Sequence, residues 1–186
     1  AFTKSTRNHA PHAAILYDKF HVIRHLGEAL DQVRKEEYSR LSAKDRTFIK
    51  GQKYTLLSRR ENLTLDGRAS RNKLLRANKR LNTACLLKES FGQLWSYNTE
   101  GWARRFFDNW QASLKWQRLK PYEKFARMIE RHWEGIAAYC ASQNKAALGF
   151  VEGINNKIRV IQRRAYGLRD EEYLRLKIPA FSLKEL

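Results

Sequence analysis

Residues 149–178 read "GFVEGINNKIRVIQRRAYGLRDEEYLRLKI", a stretch with one early acid, Glu152, followed by a dense series of amides and cations. On a helical wheel at about 100° per residue with Glu152 at zero, Arg163 falls at about 20°, Asn156 at about 40° and Arg159 at about 340°. Asn155 falls near 300° and Tyr166 near 320° on the same wheel, while Ile154, Ile158, Ile161 and Ala165 gather between about 180° and 240°. The stretch is therefore expected to be a helix with an Ile and Ala packing face and a narrow polar sector opposite it. From the wheel alone two readings of that sector stay open. One is a solvated face with an ordinary Glu–Arg pair, which is worth little. The other is a working face. Adjacent mid-helix Asn residues are poor helix formers, and Arg outnumbers Lys where a fork for phosphate would be useful. The end, "RDEEYLRLKI", reads as a last short helix stopped by Pro179.

Upstream, "ASQNKAALG" reads as a loop. Before it, residues from about 70 to 140 are helical in character. Leu74, Leu75, Leu81, Leu86, Leu87, Phe91, Leu94 and Trp95 suit one long amphipathic helix. Gly101 and Pro121 break the block, and Pro121 suits a first helical turn. Phe125, Met128, Ile129, Trp133 and Ile136 then supply an apolar face. "RRENLTLDGRASRNK" is polar and turn-like. "QKYTLLS", residues 52–58, reads as a strand. Phe20, Ile23, Leu26, Leu30 and Val33 predict a helix to about Glu37. "HAAILYD", residues 12–18, is short enough for a buried strand, although periodicity does not separate that from a helical segment.

The net charge of +18, from 37 Lys and Arg against 19 Asp and Glu, calls for a polyanionic partner, because self-repulsion otherwise opposes the compact state. Nucleic acid is the first candidate and an anionic membrane surface the second. The charge is uneven: residues 59–80 hold eight Lys or Arg against Glu61 and Asp66. No apolar run approaches the roughly 18 residues that span a bilayer, and no signal peptide is visible. The sole Met is Met128, so the chain reads as a piece that begins inside a longer protein. Cys85 and Cys140 stand far apart in apolar helical contexts and are expected as reduced core residues of a cytoplasmic protein.

The stretch "VEGINNKIRVIQRRAYGLRDEEYLRLKI" closely resembles the C-terminal signature of bacterial insertion-sequence transposases of the ISL-three family. "YDKFHVIRHLGEALDQVR" resembles that family's segment around its second catalytic Asp. "KGQKYTLLSRRENLT" and "LNTACLLKESFGQLW" resemble the segments between, in the same order. The resemblance implies a DDE transposase with an RNase H-like core, in which two Asp and one Glu hold two divalent metals, Mg²⁺ or alternatively Mn²⁺. Asp18 matches the second Asp and Glu152 the final Glu. The first Asp would lie upstream of this chain. The implied fold is mostly α with a small β component: a partial RNase H-like core of about two strands that carries a helical insertion. Residues 1–61 would belong to the core, 62–148 to the insertion, and 149–186 to the Glu-bearing helix and the C-terminal helix.

Hard carboxylate oxygens suit Mg²⁺, and a two-metal clamp suits the in-line displacement of phosphoryl transfer. The implied partner is double-stranded DNA at insertion-sequence ends, bound by a homo-oligomer in the bacterial cytoplasm at the nucleoid, with no membrane. From the wheel, Asn155, Asn156, Arg159 and Arg163 are expected beside the phosphates; Lys157 and Arg164 of the same stretch are expected DNA contacts too, with Arg59, Arg60, Arg71 and Lys73 as a second, basic track. The alternative function is a truncated, catalytically inactive fragment that binds DNA or inhibits the full transposase. His21 and His25 stand at i, i+4 like a zinc pair, but no third ligand has useful spacing. The five Trp are expected mainly in the core of the insertion, with Trp102 and Trp116 the better candidates for stacking on unpaired bases.

Overall fold

The computed structural model describes residues 2–13, 15–42, 46–47, 49–58, 60–140, 148–164 and 170–182. Their α-helices include α1 (Phe2–His9), α2 (Lys19–Arg40), α3 (Lys53–Leu57), α4 (Leu65–Ala77), α5 (Lys79–Phe91), α6 (Glu100–Ser113), α7 (Lys120–Arg131), α8 (Trp133–Ala137), α9 (Leu148–Arg164) and α10 (Glu171–Ser182). Short 3₁₀ turns lie at Arg60–Asn62, Gly92–Ser96 and Ala138–Cys140. The chain divides into two compact units, Ala1–Asn144 and Lys145–Leu186.

Helix α2 is the spine of the first unit and packs on α5, α7 and α3. Its buried stripe is Val22, Leu26, Ala29, Leu30 and Val33. This is the face the periodicity predicts, except that Phe20 points outward at 68% exposure and Val22 takes its place. An aromatic cluster joins the next helices. Phe91 is fully buried with Trp95, Trp110 and Phe125 edge-on around it, at centroid distances of 5.5, 4.8 and 5.0 Å. Two of the polar atoms carried into this core find backbone partners, while Trp95 Nε1 is buried without one among the described residues. Trp110 Nε1 donates to Leu87 O at 3.0 Å and Tyr122 Oη donates to Ala84 O at 2.6 Å. Burial pushes the Tyr122 phenol well above its ordinary pKa. Cys85 and Cys140 are buried and unbridged, as expected, and burial raises the Cys85 thiol.

Charged groups also pin α2. Burial of Asp31 opposes its ionisation, but Arg34 at 2.8 Å and Lys35 at 3.3 Å prevail and hold the carboxyl below its ordinary pKa. A depressed folded-state pKa means that the contribution is present above the unfolded pKa and is lost as pH falls through the folded one. Asp31→Asn is therefore expected to flatten the acid limb of a stability-versus-pH curve. An unchanged acid limb in that variant would show that Asp31 contributes nothing there.

The expected partial RNase H-like core of about two strands is corrected: among the described residues there is no strand. Residues 52–58 contain α3, whose backbone is satisfied locally. Leu56 N donates to Gln52 O at 3.1 Å and Ser58 N to Tyr54 O at 2.9 Å. Leu56 is 1% exposed while Tyr54 is 76% exposed, so one residue of the apolar run faces inward, as a single helical turn requires. Residues 15–18 run irregularly, and Tyr17 N donates to Gly135 O at 3.0 Å in place of a ladder partner. Without a neighbouring strand, the short apolar run that precedes Asp18 has no ladder to join.

The long helix expected through Leu74 and Trp95 is broken at Asn78. This residue ends α4 and caps α5, its Oδ1 accepting from Leu81 N at 2.9 Å while its Nδ2 donates to Glu37 at 3.0 Å. A side chain that competes for backbone hydrogen bonds stops one helix and starts the next. The turn-like polar segment is largely α4, started by Thr64 Oγ1 accepting from Gly67 N at 3.2 Å. Pro121 does occupy the first turn of α7. Gly101 sits inside the first turn of α6, and the chain breaks just before it, at Tyr97–Thr99.

In the second unit α9 packs against α10. Ile154, Ile158 and Ile161 are half-buried while Asn155, Asn156, Arg159, Arg163 and Arg164 are exposed, so the wheel's division holds. Lys157 is half-buried. Gly149 lies within α9, and α10 runs through Pro179 to Ser182, because one missing backbone donor near a helix end does not stop the turn. Residues 141–147 of the expected loop, and Ala165 and Tyr166 of the wheel, lie outside the described residues.

Candidate catalytic and nucleic-acid-binding residues

Asp18 is the N-cap of α2. Its φ and ψ are extended, and its Oδ1 accepts from Phe20 N at 2.8 Å. Its Oδ2 stands 2.7 Å from His21 Nδ1, and because an ionised carboxylate only accepts, the Nδ1 hydrogen lies between them. Two partners leave acceptor capacity on both oxygens. The side chain is 34% exposed. Asp18 is thus a partly open, oriented, hard-oxygen donor at the start of a buried spine, chemistry that fits a divalent cation.

The preceding residue sets the approach of this segment. The Tyr17 ring lies on Gly135 and stands edge-on to His132 at 5.2 Å. A Cβ at Gly135 would meet Tyr17 Cδ2 at 2.2 Å and Ile15 O at 3.1 Å. Gly135→Ala is expected to force the ring off α8 and to cost about 1–3 kcal/mol, as overpacking does. A melting curve checks this at roughly 2–4 °C per kcal/mol. An unchanged Tm would show that Gly135 does not seat the segment that leads to Asp18.

Glu152 lies on α9 in the second unit, and Asp18 lies in the first. The backbone of Glu152 is helical; its side chain lies outside the described residues. Along the same helix Arg159 Nη1 donates to Asn156 Oδ1 at 3.3 Å, so two members of the polar sector are in register. Among the described residues no three of His, Cys, Asp and Glu gather to hold a metal. His21 and His25 do not act together: His21 faces Asp18, and His25 Nδ1 lies 3.0 Å from Glu28. That contact with His25, then Arg24, holds the Glu28 carboxyl below its ordinary pKa.

The basic segment at residues 59–80 is not a uniform face. Arg71 is 5% exposed, with its guanidinium on Glu89. Arg68 turns back to Leu63 O at 3.1 Å and Glu61 O at 3.2 Å, and Arg80 lies 3.0 Å from Glu37. Lys73 and Arg76 are exposed on α4. Arg59 and the side chain of Arg60 lie outside the described residues. Sequence reasoning missed a more regular set: Lys120, Lys124, Arg127 and Arg131 are all exposed on α7. Their i, i+4, i+7, i+11 spacing was the available signal. Of the Trp residues, Trp95 and Trp110 are buried and Trp133 is half-buried against Phe107. Trp102 and Trp116 are 59% and 80% exposed, with Arg105 and Lys115 over their rings.

The family model for ISL-three elements, described as transposase, matches residues 1–178. The chain belongs to the ISL-three transposase family. Among curated relatives, the transposase for insertion sequence element IS1001 of Bordetella parapertussis is 36% identical over 183 residues, which is 97% of this chain and 45% of that protein. The transposase for insertion sequence element IS1557 of Mycobacterium tuberculosis is 28% identical over 187 residues, covering 88% of this chain and 41% of its own length. The chain therefore spans less than half the length of these relatives. No solved structure matches it. No helix among the described residues is long and apolar enough to cross a membrane.

Proposed function

We propose that the intact protein carries out DNA transposition, cutting and joining insertion-sequence ends by divalent-metal-dependent phosphoryl transfer. The observation that carries this reading is the family match over residues 1–178, together with two relatives named as insertion-sequence transposases. Asp18 and Glu152 are the carboxylates proposed to hold Mg²⁺, or Mn²⁺ in its place. A metal bound there would polarise the phosphodiester and activate the attacking oxygen. Support for Asp18 comes from its orientation: Phe20 N–H and His21 fix the carboxylate without using up its acceptor sites. His21 is a positioning residue, its imidazole holding the Oδ2 edge.

Asn155, Asn156, Lys157, Arg159, Arg163 and Arg164 are proposed to face the DNA backbone from α9. Asn155, Asn156, Arg159 and Arg163 are exposed and share one narrow sector with Glu152 on the wheel, which supports that role for those four. Arg59, Arg60 and Lys73 are proposed as further phosphate contacts. Arg71 is set aside, because its side chain is buried and its guanidinium is already paired with Glu89. The DNA complex is proposed to contain more than one copy of the protein.

The test uses the intact protein and a duplex that carries the element's ends. Mg²⁺-dependent nicking that EDTA abolishes and Asp18→Asn removes is the expected result. Nicking that survives EDTA would overturn the metal, and failure of the intact protein to cleave its own ends would overturn the function.

A further inference from the structure

Helix α7 buries Pro121, Tyr122, Phe125, Ala126 and Ile129 on one side. This packing fixes the opposite side toward solvent. At about 100° per residue, Lys120, Lys124, Arg127 and Arg131 fall at about 0°, 40°, 340° and 20°, a sector about 60° wide. They rise along the helix over about 16 Å at 1.5 Å per residue. All four are exposed, and among the described residues none is seen in an ion pair. Two acids of α7, Glu123 and Glu130, flank the row on one side at about 300° and 280°; Glu130 is already engaged, receiving Arg104 Nη2 at 2.8 Å, and that arginine also holds Asp108 at 2.9 Å. Gln111 of α6 joins Lys124, Arg127, Glu130 and Arg131 in lining a shallow groove along this face.

Unpaired like charges held in a row on a rigid helix repel one another, and that cost is recovered when a polyanion with a regular charge spacing lies along them. Duplex DNA carries one charge per about 1.7 Å of its axis, so a 16 Å ridge has phosphates within reach of every cation. The absence of large apolar side chains from this sector disfavours insertion into a membrane surface, which needs an apolar face to bury.

We infer that the outward face of α7 is a DNA-backbone-binding ridge, with Lys120, Lys124, Arg127 and Arg131 each contacting a phosphate. The inference rests on reading the protein as one that acts on DNA. The ridge contributes affinity independent of base sequence and positions the helical unit on the duplex.

The test compares three forms of the intact protein on a duplex of arbitrary sequence, with Kd measured from about 50 to 200 mM salt. One form is unaltered. One carries Lys120→Gln, Lys124→Gln, Arg127→Gln and Arg131→Gln. The third loses four exposed cations elsewhere: Lys4→Gln, Lys50→Gln, Lys53→Gln and Lys79→Gln. At about 0.9 in the log–log salt slope per phosphate contact, the ridge variant is expected to lose roughly 3 to 4 from the slope. The scattered variant is expected to lose less than about 1. A ridge variant with the parental slope, or equal losses in the two variants, overturns the ridge and leaves the DNA reading standing. No duplex binding by the unaltered protein overturns both. The ridge side chains are exposed, so Tm is expected to hold. If the fourfold variant does not fold, Lys124→Gln with Arg127→Gln is expected to lose about 2 from the slope, and no loss there overturns the ridge.

Discussion

Glu152→Gln in the intact protein is expected to lower the rate of DNA-end cleavage by at least about 10³-fold, equivalent to roughly 4 kcal/mol of transition-state stabilisation. The substitution keeps the size and shape of the side chain and exchanges a charged oxygen for an amide nitrogen. Gln and Glu have nearly the same helix propensity, so α9 keeps its turns. A neutral amide is a poor ligand for a doubly charged hard cation, and the two-metal clamp depends on ligand charge. DNA binding is expected to persist, because removing an acid from a cationic sector favours the approach of phosphate. The measurement is therefore cleavage against binding in the same preparation. Cleavage at the parental rate would remove Glu152 from the reaction. Loss of both cleavage and the far-ultraviolet helical signal would point to unfolding, and Glu152→Asp would then separate geometry from charge.

Phe91→Ala is expected to destabilise the first unit by about 3–5 kcal/mol, the range for deleting a large buried aromatic. Phe91 ends α5 and touches Trp110 of α6, Phe125 of α7 and Trp95 of the 3₁₀ turn between α5 and α6. Truncation removes the one ring that all three partners share. Trp95 and Trp110 are held by their own packing, and Trp110 also by its bond to Leu87 O, so the site collapses only in part and a cavity remains. Denaturant unfolding followed by Trp fluorescence would report it. A loss under about 1 kcal/mol would show that the ring is not the keystone of this cluster. Phe91→Leu is expected to recover part of the loss by refilling the volume.

Local periodicity is a sound guide to the packing faces of α2 and α9, although Phe20 and, on α5, Leu86 point outward against it. Leu26, Leu30 and Val33 on α2 lie inside as their spacing predicts, and Ile154, Ile158 and Ile161 on α9 separate from the Asn and Arg sector in the same way. Two catalytic candidates, Asp18 and Glu152, were legible because each stands in a segment resembling the family's. Asp18 proved to be a helix cap oriented by His21, which the sequence carried as a nearby polar pair without saying which atoms met. The ridge on α7 was legible too, since its spacing is written in residues 120–131, but its outward direction depends on Tyr122, Phe125 and Ile129 being buried.

The sequence by itself determined family membership, the charge that calls for a polyanion, and the apolar faces of α2, α7 and α9. These properties are local or summed, so no knowledge of neighbours is needed. Only the tertiary structure decided that residues 52–58 make a helical turn instead of a strand, that Asn78 splits a long helix, and that Gly135 must stay bare beneath Tyr17. It also decided that Arg71 turns inward to Glu89 while Lys124 and Arg127 face solvent. A four-residue apolar run satisfies its backbone as a helix or as a strand according to whether a partner strand is present. A cation is a core ion pair or a DNA contact according to what packs beside it. Both choices are made by residues distant in the chain.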